Sequence, residues 1–248
     1  MSPSQPSIPH AVVLAYRDLG AVIRDLGGLV VIAFAIMAAT RVPSALLAGS
    51  LPKDTNAPIL LGFVSGLAST FLLTPYFIAI HRFIVLGEGG ASYALTARAL
   101  RFQLYFTCWA AFSTATAAPL FVMRGSSPTL LFGLIAIWLI VVMLAGLRLM
   151  ILFPAIAVDA PGASVTNAFA DTRGKTWRIF VIALLAALPV MMIGMLIRQA
   201  GRIGLDQGTA GLVLRVAIAG VASTLELTLF VVIASRLYQW FGDRLNRP

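Results

Sequence analysis

An all-α integral membrane protein, a six-helix transmembrane bundle, is the fold this sequence predicts, and three observations carry it. Of its 248 residues, 60% are hydrophobic and only 11% charged, against about 25% charged in soluble domains. Many apolar runs approach or exceed the roughly 20 residues an α-helix needs to cross a bilayer. These runs also lack the apolar/polar alternation of membrane β-barrel strands. The expected organisation is a disordered tail at residues 1–9 and a single transmembrane domain over 10–248.

The first residues, MSPSQPSIPH, are rich in Ser and Pro. They lack the basic stretch and apolar core of a cleavable signal, and a cytoplasmic tail is expected. From His10 to Leu26, Val12, Tyr16, Leu19, Val22, Ile23 and Leu26 recur at helical spacing, with Arg17, Asp18, Arg24 and Asp25 off that stripe. This pattern predicts an amphipathic helix in the headgroup plane, or else a cytoplasmic extension of the first span. The first span is placed at about 27–48. Its Arg41, two residues before Pro43, either snorkels to the outer headgroups or lines a cavity. A polar loop at 49–57 follows.

The second span, about 58–80, contains Pro75, which removes a backbone hydrogen bond and predicts a kink. It ends in HRFIVLGEGG (81–90), which places His81, Arg82 and Glu88 at the interface. There His81 is a near-neutral titrating group or a headgroup contact. Arg98 and Arg101 precede the third span, about 102–123, whose helix is expected to begin before the bilayer. A tight outer turn, 124–128, leads to the fourth and most apolar span, about 129–153. The fifth covers about 179–196 and is interrupted by Pro189. After an outer loop at 198–211, the sixth runs over about 212–235.

Lys and Arg sort by side. One face collects Arg17, Arg24, Arg82, Arg98, Arg101, Arg173, Lys175, Arg178, Arg236, Arg244 and Arg247. The other holds Lys53, Arg124, Arg198 and Arg202. The richer face belongs inside, so both termini are cytoplasmic and the span number is even. This distribution also explains the net charge of +9 without nucleic acid, for which no basic block interleaved with aromatics exists. The expected partners are membrane lipids, met at the inner interface by Arg82, Arg173, Lys175, Trp177 and Arg178, and other membrane subunits. Trp177, Tyr238 and Trp240 fit an inner aromatic belt.

Besides Arg41, three ionisable residues fall within spans. Arg215 is near an end and can snorkel. Glu226 and Arg148, both placed on the cytoplasmic side of the midplane and opposite in sign, are expected to face each other across the bundle. Such a pair serves either as an interhelical clamp or as a proton-exchanging carboxylate in a transport path. The single cysteine, Cys108, lies in an apolar run and is expected to be a small buried hydrophobe. No P-loop, dinucleotide fingerprint, HExxH, CxxC, SxxK or GxSxG pattern occurs, and no catalytic residue, cofactor site or metal site is expected.

The stretch from Arg148 to Arg178 joins two spans. Phe153-Pro154 leads into a polar connection, a short helix around Val165–Asp171, then Thr172-Arg173-Gly174 and Trp177-Arg178. Together with HRFIVLGE at 81–88 and Arg101-Phe102, these residues resemble bacterial multi-pass proteins related to the membrane domain of glycerophosphoryl diester phosphodiesterases. The resemblance covers about 80–248. It implies a six-span helical fold in the bacterial inner membrane and no activity, since the phosphodiesterase chemistry resides in a separate soluble domain. The short helix is expected to anchor two spans at the inner surface, or to dock a partner. The expected function is therefore that of a non-enzymatic scaffold, assembly factor or accessory subunit. The alternative is a small transporter for a lipid or lipophilic solute, using Glu226 and Arg148.

Overall fold

The computed structural model describes residues 6–47, 57–89, 93–94, 96–122, 128–203 and 208–247. Residues 1–5 of the expected tail, and most of the loops expected at 49–57 and 124–128, lie outside them. Among the described residues every regular element is helical: α1 (Ile8–Asp25), α2 (Gly27–Leu47), α3 (Ala57–Leu86), α4 (Ala97–Val122), α5 (Pro128–Leu149), α6 (Leu152–Ala157), α7 (Val165–Asp171), α8 (Thr176–Ile203) and α9 (Thr209–Phe241). Four segments are long and apolar enough to cross a membrane: Leu60–Leu86, Phe132–Ala157, Thr176–Gln199 and Thr209–Phe241. A fifth is added if α1 and α2, bent by 93° at their junction, form one broken span.

The helical spacing read from residues 10–26 becomes α1, which starts at Ile8 and so takes in the end of the expected tail. Ala11, Ala15, Leu19 and Val22 are buried on one face, set against α8 and α9. Tyr16 fixes the angle by donating from its hydroxyl to the Ala186 carbonyl at 2.7 Å.

Helix α9 is the axis of the bundle and touches α1, α2, α3, α6 and α8. Apolar contact alone gives helices in lipid little reason to associate, so close packing and interhelical hydrogen bonds must supply it. Both are present. Gly220 lets α2 approach until Phe34 and Ala38 lie against it. A polar seam then runs down α9 toward α3: Tyr76 Oη and Thr228 Oγ1 are 2.6 Å apart, and His81 Nδ1 and Ser235 Oγ 2.8 Å. Thr224 and Thr228 return their hydroxyls to carbonyls one turn earlier, which leaves these buried groups satisfied.

Several expectations change. His81 is 1% exposed, inside the bundle rather than at the interface, because α3 continues to Leu86 and carries it away from the helix end. Tyr238 belongs to the core, bonded to Asn246, rather than to an aromatic belt. Cys108 faces outward. α3 and α8 run on through Pro75 and Pro189. The helical break falls instead at Met150–Ile151, where the fourth span was expected to continue. Pro154 has no N–H to give the Met150 carbonyl, and its ring would press on that oxygen. The chain therefore ends α5 at Leu149 and restarts α6 with Pro154 in its first turn, where no donor is needed.

Residues 158–175 form an elbow that holds the C-terminal segment. Ser164 caps α7 by accepting from the Asn167 N–H at 3.2 Å, and Gly174 takes φ +74° in the turn beyond it. Asp171, 6% exposed, accepts from the backbone N–H groups of Arg244 (3.0 and 2.9 Å) and Leu245 (3.1 Å). Gly162 donates to the Leu245 carbonyl at 3.1 Å. A Cβ on Gly162 would strike the backbone oxygens of Arg244 and Arg247. Gly162→Ala should therefore cost about 1–3 kcal/mol, the range for overpacked sites, read as a lowered unfolding midpoint in detergent. An unchanged midpoint would mean the tail does not sit there.

Candidate functional site: an intramembrane charge centre and an arginine-held elbow

Glu226 does not pair with Arg148. Its carboxylate accepts from Arg198 of α8, Nη2 to Oε1 at 2.8 Å and Nη1 to Oε2 at 3.3 Å. The expected pairing fails on depth: α9 runs from Thr209 to Phe241, beyond both ends of the span read from the sequence. Residue 225 is its midpoint, so Glu226 sits at mid-helix, whereas Arg148 lies at the end of α5. Arg198, assigned to an outer loop, instead belongs to α8, and its side chain reaches back to the carboxylate. Gly194, one turn before it, makes this possible: a Cβ there would collide with Glu226 Oε1.

A second arginine enters from the other side. Arg41 of α2 donates from Nη2 to Ser223 Oγ at 2.5 Å. Ser223 precedes Glu226 by three residues, so both lie on neighbouring positions of α9. Arg41 is within electrostatic reach of both Arg198 and Glu226, and its Nε is buried without a hydrogen-bond partner. The centre thus sets two guanidiniums, neither able to lose its proton, around one carboxylate. Nothing in the sequence ranked Arg41 and Arg198 together. Only the Arg198–Gly194 spacing, which puts both on one helical face, hinted that the arginine points inward.

Arg148 serves the elbow. Its Nε donates to Thr176 Oγ1 at 3.1 Å, and its guanidinium stands 5.6 Å above the Phe169 ring. Three further arginines hold the same turn. Arg82 donates to both Glu88 oxygens at 2.6 Å and to the Ala157 carbonyl at 3.2 Å. Arg101 reaches the Ala163 carbonyl at 2.9 Å. Arg98 makes a forked pair with Asp159. Of the residues expected to meet lipid, Arg82 is thus committed to the protein. Lys175 sits 5.1 Å over the Phe241 ring, and Arg178 donates to the Pro6 carbonyl. Arg173 and Trp177 remain outward, Trp177 at 74% exposure.

Asp159 takes φ +55°, and the hydrogen bonds and charge of Arg98 hold its carboxyl below the usual carboxylate range. A depressed carboxyl contributes stability above its unfolded value, near pH 4, and loses it as pH falls through the folded value. Asp159→Asn tolerates the left-handed backbone and so isolates the charge. It should loosen the elbow at neutral pH by under about 1 kcal/mol, because the pair is exposed. The difference from wild type should begin to shrink below about pH 4 and vanish once pH has fallen through the depressed folded value. A difference that persisted there would assign the effect to shape rather than charge.

Two clefts complete the picture. A cavity of about 490 Å³ opens between α3, α4, α5 and α9, walled by Phe77, Phe102, Phe106, Trp109, Met143 and Phe153, with His81 among its few polar groups. A second, about 350 Å³, lies between α2 and α3 beside Arg41. Among the described residues, no group of three or more His, Cys, Asp or Glu is placed to hold a metal ion. No family model, curated protein or solved structure matches this chain.

Proposed function

We propose that this chain is a non-enzymatic, six-span protein of the bacterial inner membrane with both termini cytoplasmic, acting as a scaffold, assembly or accessory subunit. The spans are α2, α3, α4, α5, α8 and α9, with α1 lying along the inner surface. The elbow, its arginines and both described chain ends meet at one end of the bundle, which the excess of basic residues makes the cytoplasmic one. The resemblance to the phosphodiesterase membrane-domain family supports this reading through Arg148, Pro154 and Gly174, which have structural parts in or beside the elbow.

The observation that carries the subunit reading is the position of α5. Only 6% of the Phe132–Ala157 apolar window is buried, against 50% for α9. Ile137, Leu139, Ile140, Val141, Met143 and Leu144 are all exposed, so the exposure extends around the helix rather than along one face. Van der Waals packing is the main force that positions a helix in lipid, and within this chain α5 has little of it. A neighbouring subunit would supply it. A photo-crosslinking residue at Ile137 or Ile140 in intact cells should give one discrete adduct with a second polypeptide. Lipid adducts alone, at the same level as from Met195 on α8, would remove the reading.

The 490 Å³ cleft favours a second reading, the binding and movement of a lipid or lipophilic solute. Gly146 forms part of its wall against Trp109. Gly146→Leu should then lower the lipid that co-purifies with the protein.

A further inference from the structure

We propose that Arg41 anchors a binding site for a phosphate oxyanion, held in the cavity between α2 and α3. The cavity, about 350 Å³, has one polar wall made by Arg41, Thr40, Ser65, Ser69 and Thr70, and an apolar remainder that includes Phe77 and Phe106. Three features point to an anion rather than a neutral solute. The charge centre holds Arg41 and Arg198 against the single carboxylate of Glu226, and that carboxylate is taken by Arg198 in a forked pair. Arg41 keeps a full positive charge whose one bond, to Ser223, is to a neutral hydroxyl. Its Nε–H is buried and donates to nothing, so the guanidinium is left under-satisfied inside the bundle and its cavity-facing atoms gain from a charge-assisted partner.

The hydroxyls add selectivity. Thr40, Ser69 and Thr70 give their protons to carbonyls of their own helices at 2.9, 2.7 and 2.9 Å. They therefore offer lone pairs to the cavity. Ser65 makes no side-chain bond among the described residues, so its hydroxyl is free to donate. The site thus presents Arg41 and Ser65 as donors and three oxygens as acceptors. That complement fits a phosphate bearing neighbouring hydroxyl groups better than a bare halide. The glycerol headgroup of an anionic phospholipid carries such hydroxyls beside its phosphate, while the free anion at neutral pH offers only its own P–OH. The cavity is open at Gly62 and Gly66, both exposed on α3, and a Cβ at either position meets nothing within 4 Å.

The test uses the full chain purified in a neutral detergent. Phosphatidylglycerol and phosphatidylcholine are added in turn and retention is read by native mass spectrometry, while inorganic phosphate is titrated against the unfolding temperature. Preferential retention of phosphatidylglycerol identifies a headgroup, and a rise in unfolding temperature with phosphate alone identifies a free anion. In either case Arg41→Gln should weaken binding at least tenfold. Gly66→Leu keeps the guanidinium but fills the open mouth, so it should abolish binding even if Arg41→Gln impairs folding. Wild type that prefers neither probe, or a folded Gly66→Leu that binds as wild type does, would overturn the proposal.

Discussion

Replacing Asp171 with alanine should detach the C-terminal segment from the elbow and lower stability by about 3 kcal/mol, since hydrogen bonds to a charged group contribute about 1.5–3 kcal/mol each. The carboxylate is buried and is the acceptor for two consecutive backbone N–H groups, those of Arg244 and Leu245. Alanine would leave both donors without their acceptor, the Leu245 N–H in a buried position. Tyr238 and Asn246, which bond each other, and Gly162, which meets the Leu245 carbonyl, would lose their register with the tail. Two readouts should move together: the unfolding midpoint in detergent, and the rate at which a carboxypeptidase trims residues after Gly242. Asp171→Asn should fall between alanine and wild type, because an amide oxygen still accepts but without charge. A tail that stays protected in Asp171→Ala would show that other contacts hold it.

The second large effect is expected at Glu226. Glu226→Ala leaves Arg198 and Arg41 inside the bundle with no carboxylate between them. At about 2.5–3.5 kcal/mol for an uncompensated charge at mid-membrane, the loss should be severe, and Glu226→Gln should be milder because the amide oxygen still accepts a hydrogen bond. Arg198→Gln alone should also destabilise, by stranding the carboxylate. The double variant Arg198→Gln/Glu226→Gln should cost less than the two single changes added, the signature of a direct pair. Arg148→Gln should show no such coupling to Glu226, since its bonds run to Thr176 and Phe169 at the elbow.

How much of this was legible beforehand follows from what hydropathy encodes. The long helices were legible because a run of about 20 apolar residues reports its own length. α1 was legible from its 3.6-residue stripe, and α7 from the turn residues Pro161 and Gly162 before it and Gly174 after it. The break before Pro154 was available in principle from the steric rule for proline, yet the apolar run across it concealed the break. Faces were not legible. In a membrane protein, residues against lipid and residues against other helices share one composition, so Cys108 and His81 carried no mark of which way they point. The partner of Glu226 depended on depth and rotation together. Arg198, read as part of a loop, lies in α8 and reaches Glu226, while Arg148 is taken up by Thr176 and Phe169. The role of Asp171 needed the tail's position, which no local pattern states.

The most direct test of this architecture is a charge reversal across the α8–α9 pair, read as folded yield and unfolding midpoint in detergent. Glu226→Arg alone gathers three cations at one level of the bundle and should abolish folded protein. Adding Arg198→Glu restores a pair at the same place and should recover a substantial part of the yield, while adding Arg148→Glu should recover none. Rescue by Arg148→Glu and not by Arg198→Glu would contradict the charge centre and the arrangement of α5, α8 and α9 on which it rests.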